Sequence, residues 1–246
     1  TNEFRFDNGG ALNSSISWRN HFDIYDTHTV SGVLRGKHES EATQTRLNYR
    51  LGSLIVGAEH NQENLGSSRD GEHARHFSSA FINYKQPIAS NVSLTGNLSY
   101  FDYDSKEQFV LPVVGIDALI TENVEVYANT GLSVRAPTLF DLYLNMPTNI
   151  GMEDLDVERT TSAEVGVRLN STDVNISASV FYKETDDAID FTKAQVTDAA
   201  YIARNYGKNE TKGYDVEFDA SAFAAMNLGL STLKLTHPRL LQTITT

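Results

Sequence analysis

Along most of this chain, apolar and polar residues take turns. From Ala163 it reads AEVGVRLN, with Ala163, Val165, Val167 and Leu169 alternating with Glu164, Gly166 and Arg168. VNISASVFY sets Val174, Ile176, Ala178, Val180 and Tyr182 against Asn175, Ser177, Ser179 and Phe181. VSLTGNLSY from Val92 and VEVYANTGLSV from Val124 follow the same rule. Side chains alternate faces along a strand, so each segment has one apolar and one polar face. No helix-rich domain or low-complexity linker interrupts the pattern, and the fold class is all-β.

The breaks between these segments alternate in length. Short turns fall at NGGA near Gly9, LGS near Gly52, 87–91, 121–123, 170–172 and SAFAA near 221–225. Longer polar stretches lie at 27–40, 62–74, 103–109, 136–158 and 188–200. The pattern gives about twelve antiparallel strands, many of them long enough for the ~9–11 residues that cross a bilayer. Short turns at one end and long loops at the other are the mark of a transmembrane β-barrel, with short periplasmic turns and long extracellular loops. A soluble β-sandwich alternates too, and one sequence does not show which face is wet. The barrel is favoured by strand length, by small and amide residues on the polar faces, and by tyrosines near strand ends. Tyr49, Tyr84, Tyr100 and Tyr182 sit where an interfacial girdle would place them.

Composition narrows the function. The 246 residues carry a net charge of −12, the wrong sign for nucleic acid, whose phosphates need a basic surface. Cysteine is absent, which removes disulfides, thiolate metal sites and cysteine nucleophiles. No apolar run reaches the ~18 residues of a membrane helix, which leaves a membrane barrel open. The chain opens at Thr1 without a signal-type segment, as a mature form or a fragment would. No G-x-S-x-G elbow or glycine-rich phosphate loop points to an enzyme or a cofactor. Six N-x-S/T sequons, at Asn13, Asn91, Asn97, Asn170, Asn175 and Asn209, follow from polar faces built of Asn and Ser. His73 and His76 point to opposite faces of a strand and make a poor metal pair. The acidic groups Glu153, Asp154, Asp156, Glu158 and Asp186, Asp187, Asp190 lack the ligand order of an EF-hand and read as solvated loop charge.

GLSVRAPTLFDLY, followed by PTNIGMEDLDVERTTSAEVGVRL, resembles the barrel of TonB-dependent outer-membrane receptors. Arg135, Ala136, Pro137 and Thr138 match that family's R-x-P-T element, and Leu142 and Tyr143 its Leu-Tyr. Leu155 and Glu158 match an N-x-x-L-x-P-E loop, with Met152 and Val157 replacing its Asn and Pro. Glu164 and Gly166 match Y-E-x-G, with Ala163 in place of the tyrosine. Asn205, Gly207, Gly213 and Glu217 match a later N-x-G…G-x-E-x-E strand, where Asp215 stands for the first glutamate. The spacing and the PTN loop look closest to the vitamin B12 (cobalamin) receptor branch.

The resemblance implies a barrel of about twenty-two strands filled by an N-terminal plug. It implies a scarce small-molecule ligand, cobalamin or a ferric siderophore, bound at extracellular loops, and TonB acting through the plug. About half those strands are read here, with no plug or TonB box. The tail KLTHPRLLQTITT lacks a terminal aromatic. Residues 1–246 are therefore expected to be a partial barrel domain without its plug, located in the bacterial outer membrane. A passive porin, a structural barrel and the soluble sandwich remain the alternatives.

Two local expectations follow. The strand from Val124 to Val134 crosses the membrane and surfaces near Arg135, and 137–144 then forms a short helix at the rim, or an irregular loop held by the same apolar residues. Pro137 starts the helix, and Leu139 and Tyr143 share a face. Binding function belongs on loops carried by a rigid scaffold. The loop 136–158 is the best candidate, offering Tyr143, Asn145, Thr148 and Asn149 to a bulky polar ligand.

Overall fold

A computed structural model describes residues 2–29, 32–104, 107–172, 174–193, 195, 199–220, 232–236 and 239–241. In chain order the strands are β1 (Asn2–Arg5), β2 (Ala11–Thr29), β3 (Gly32–Leu51), β4 (Leu54–Ser67), β5 (Gly71–Ala89), β6 (Val92–Tyr103), β7 (Glu107–Leu119) and β8 (Val124–Arg135). Helix α1 (Leu139–Tyr143) and the two-residue strand β9 (Asn149–Ile150) follow. The rest are β10 (Glu158–Asn170), β11 (Val174–Asp186), β12 (Ile189–Thr192), β13 (Tyr201–Asn205), β14 (Lys208–Ala220), β15 (Thr232–Thr236) and β16 (Arg239–Leu241).

Thirteen strands form one antiparallel sheet in the order β1 to β8, β10, β11, β14, β15, with β16 also on β14. From β1 to β15 each strand of this sheet pairs antiparallel with the one before it in that order. Among the described residues no pairing joins β1 to β15, so the sheet is a barrel wall that is not closed.

The register sorts the two faces. One row runs Tyr214, Val180, Val165, Ala128, Ile116, Leu94. These residues share a face, and Val180 is 61% and Val165 53% exposed. Ile82, Leu98, Val114 and Phe218 belong to the same uncovered apolar side. A soluble sandwich would pack that side against a second sheet, as its core. Here the side is bare and continuous, and it suits lipid. Tyr49, Tyr84, Tyr100 and Tyr182 all fall on it, near strand ends.

The opposite face is polar and carries ion pairs along its length. Arg168 meets Glu125 at 2.5 Å, Arg46 meets Glu59 at 2.7 Å and Arg75 meets Glu63 at 2.6 Å. This is the lumen side. The family-motif residue Gly166 lies on it, directly opposite Tyr127. A Cβ there would come within 2.5 Å of the tyrosine ring, so glycine is required for Tyr127 to lie flat across β10. The Tyr127 hydroxyl donates to Glu164 at 2.6 Å, and Arg168 stacks over its ring at 3.8 Å.

The short turns fall where the alternation puts them, after β1, β3, β5, β7 and β10. The turn near 221–225 lies outside the described residues. The long loops need correction. Residues 27–40 and 62–74 are mostly strand: β2 and β3 are 19 and 20 residues long, and β4 and β5 meet across Ser68–Asp70. A strand that has left the membrane needs no apolar face, so its polar composition reads as loop although its ladder continues. At ~3.3 Å per residue measured along the strand, the β2–β3 hairpin runs roughly 30 Å beyond a bilayer-spanning length and the β4–β5 hairpin roughly 13 Å. Likewise 103–109 is mostly strand, with β6 ending at Tyr103 and β7 beginning at Glu107. Among the described residues, 136–158 and the stretch after β11 are the long loops.

Candidate functional site at the barrel rim

The strand β8 ends at Arg135, and the chain then folds back across the lumen side of β2–β5. Pro137 is fully buried, and its carbonyl accepts a hydrogen bond from Arg75 Nη1. The helix begins two residues later than the sequence suggests, at Leu139 rather than Pro137. Thr138 is its N-cap, because Thr138 Oγ1 accepts from the Asp141 N–H at 3.0 Å. Asp141 Oδ2 accepts from the Thr138 N–H at 2.9 Å, which completes a reciprocal capping box. The buried residues of the helix are Leu139 and Leu142, three apart on one side.

Tyr143 turns to the β4–β5 hairpin and stacks on His73, with ring centroids 3.4 Å apart and planes 6° from parallel. Burial, with Glu153 nearby, pushes the Tyr143 phenol above its ordinary value. Asn145 is gripped by its backbone. Its N–H donates to Asp70 Oδ1 at 2.8 Å, and its carbonyl accepts from Arg69 at 3.2 Å. Met146 and Asn149 bond to each other's backbone and reverse the chain, and the Thr148 carbonyl accepts from the Tyr201 N–H at 2.8 Å. The side chains of Asn145 and Thr148 are exposed, and that of Asn149 is half-buried. The four predicted ligand residues thus lie on one strap, held by backbone and ring contacts.

The family-motif residues lock this strap. Arg135 grips Glu158, its register partner, through two bonds of 2.5 and 2.6 Å, and reaches Asp141 at 3.2 Å. Hydrogen bonding to Glu158 raises the Arg135 guanidinium further above its ordinary value. Glu158 also accepts from the Ile189 N–H at 2.7 Å. Asn205 is a clasp between loops: its Oδ1 accepts from the Asp156 N–H at 2.9 Å, and its Nδ2 donates to the carbonyls of Asp156 and Asp187 at 2.9 and 2.8 Å. The strands β12, β13 and β9 pair into a second small sheet, so the loops after β8 and β11 form one rim. Phe140 meets Phe191 edge-on across it. Gly207 turns the chain at φ +50°, Gly213 faces Phe181 in the ladder, and Glu217 faces Ser177. Val157, at the usual proline position, is buried.

Sequence reading missed the other half of the clamp: Arg69, Asp70, His73 and Arg75 on the β4–β5 hairpin. The stretch 62–74 looked like a free loop, and nothing local marks a partner seventy residues away. The acidic residues are divided among roles. Glu158 and Asp156 hold the rim, Asp186 pairs with Lys208 at 3.6 Å, and Glu153 and Asp154 line a recess beside Tyr143 and Asn145. Among the described residues no three His, Asp or Glu side chains gather as a metal site. His73 faces the strap, and His76 faces away, 3.1 Å from Asp104.

Between strap and wall lies a recess of about 470 Å³. Leu139, Phe140, Leu144 and Met146 supply its strap side, and His21, Asp23, His38, Glu63, Leu65 and Asp70 its wall side. Cavities of ~300–1,000 Å³ are the usual size for small-molecule sites.

A wall with an apolar outer face, an ion-paired lumen side and loops folded over one end defines part of a transmembrane β-barrel. Residues 1–243 match the family model described as TonB dependent receptor-like, beta-barrel. The chain belongs to the TonB-dependent receptor family, in its barrel portion. It is 31% identical over 104 residues to the vitamin B12 transporter BtuB of Vibrio vulnificus (strain YJ016), covering 42% of this chain and 16% of that protein. Its fold is shared by the siderophore receptor PirA of Pseudomonas aeruginosa, with TM-score 0.65, 17% identity, and coverage of 94% of this chain and 51% of that one. A variant of the ferric enterobactin receptor PfeA of Pseudomonas aeruginosa in complex with enterobactin gives 0.66, 15%, 98% and 43%. The FrpB iron transporter of Neisseria meningitidis gives 0.62, 16%, 94% and 41%. The chain thus spans about half or less of the relatives it matches.

Proposed function

We propose that this chain is the ligand-capturing part of a barrel wall in an outer-membrane receptor that imports a scarce small molecule, cobalamin or a ferric siderophore. TonB would supply the energy through a plug domain that these residues do not form. The reading is carried by the strap, which is clamped across the lumen mouth while it keeps Asn145 and Thr148 exposed. Membership of the TonB-dependent receptor family and likeness to a vitamin B12 transporter and an iron transporter support this function, which includes no enzymatic step.

The test uses the receptor that carries this chain, with uptake and binding of radiolabelled cyanocobalamin and of iron-loaded siderophores. Replacing Asn145 and Asn149 together by Ala should weaken binding of the cargo about tenfold or more, the loss of ~1.4 kcal/mol. Heat-modifiable gel mobility should stay normal, because both residues are anchored through their backbones. Glu122→Ala, in the turn at the opposite end of β8, should leave binding unchanged. Equal loss in the turn variant would overturn the site and the orientation together.

A further inference from the structure

The recess under the strap has a sign. Asp23, Glu63 and Asp70 line it, and no Lys or Arg does among the described residues. Glu63 is neutralised from behind by Arg75 at 2.6 Å. Among the described residues the ion-pair partners of Asp23 and Asp70 are histidines, His21 at 2.6 Å and His38 at 3.6 Å. The Asp70 side chain is 4% exposed, held by the Asn145 N–H and the Ser67 hydroxyl, so this acid is a fixed part of the wall. The strap side is apolar, with Phe140, Leu144 and Met146 facing the acids across the cavity.

We infer that this recess binds uncharged or cationic amphipathic molecules and rejects polyanionic ones. An apolar surface on the ligand would lie against the strap, and a cationic or hydrogen-bond-donating group would meet the exposed Asp23, with the buried Asp70 adding negative potential from the wall. A polyanionic iron chelate would bring like charge against those carboxylates, which is how a site discriminates between ligands. The inference rests on the uptake reading and narrows it to the charge class of the cargo.

The experiment uses the purified receptor carrying this chain, titrated by fluorescence anisotropy with two planar probes. One is rhodamine 6G, a monocation, and the other is a trisulfonated pyrene, a polyanion. The cation should bind at least roughly tenfold more tightly, a difference of about 1.4 kcal/mol. Asp23 is exposed and bridges to no other element, so Asp23→Asn and Asp23→Lys should keep the folded gel mobility. Asp23→Asn should shrink the preference, and Asp23→Lys should abolish or reverse it. Equal binding of the probes, no binding of either, or indifference to Asp23→Lys would overturn the inference. Its failure is separable from that of the uptake reading. A polyanionic cargo that still depends on Asn145 and Asn149 sinks only the charge rule. A charge-selective recess without any Asn145 and Asn149 effect sinks only the site assignment.

Discussion

At the scale of single residues, the family pattern marks structural joints more than ligand contacts. Arg135, Glu158 and Asn205 each hold two or more backbone or side-chain groups that would otherwise leave the loops untied. Gly166 is the clearest case within the wall. The ring of Tyr127 occupies the space of its missing side chain. Gly166→Ala should therefore destabilise the barrel by ~1–3 kcal/mol through overpacking. In a Tyr127→Ala background the same change should cost almost nothing, as urea refolding of the two single variants and the double variant would measure. Additive costs would mean that the tyrosine ring does not lie on the glycine. The motif itself was visible in the sequence. Its reason was not, because Tyr127 and Gly166 are brought opposite each other only by the register of β8 and β10.

At the scale of elements, alternation carried most of the fold. It separates apolar from polar faces residue by residue, and a one-residue slip would invert them, so the facing is strongly determined. Val165, Val167, Ile176, Ala178 and Val180 share one face of the wall, and Glu164, Arg168, Asn175 and Ser177 the other. Alternation failed above the membrane. There both faces of β2–β5 are wet, polarity no longer reports strand, and two long hairpins read as loops. Helix α1 was legible from Pro137, Thr138 and the apolar run, but its cap needed the Thr138–Asp141 exchange to be seen. Neighbouring positions in the middle of β6 test the facing. Leu98 is on the bare apolar side, and Asn97 on the lumen side opposite Asn83. Leu98→Arg should cost ~2–4 kcal/mol in refolding into lipid, and Asn97→Arg much less. Equal costs would contradict the assignment.

At the scale of the whole molecule, the wall and its rim divide the work. The long strands give a rigid, hydrogen-bonded scaffold, and two loops tied to a hairpin make one surface at its mouth. The wall was readable because lipid and lumen impose opposite chemistry on adjacent residues. The clamp was not, because Arg69, Asp70, His73 and Arg75 meet the strap only after the sheet has curved. The central claim is that the bare apolar face meets lipid. These 246 residues hold no cysteine, so single nitroxide labels can be placed at Val165→Cys, Val180→Cys and, for the lumen face, Glu164→Cys without background from them, any cysteine elsewhere in the receptor being replaced by Ser first. In the receptor reconstituted into liposomes, accessibility to oxygen and to a water-soluble nickel chelate separates lipid from water. Labels at 165 and 180 should be oxygen-accessible and nickel-protected, and the label at 164 should not share that signature. Labels at 165 and 180 that are shielded from both reagents, as in the core of a sandwich, would contradict the account.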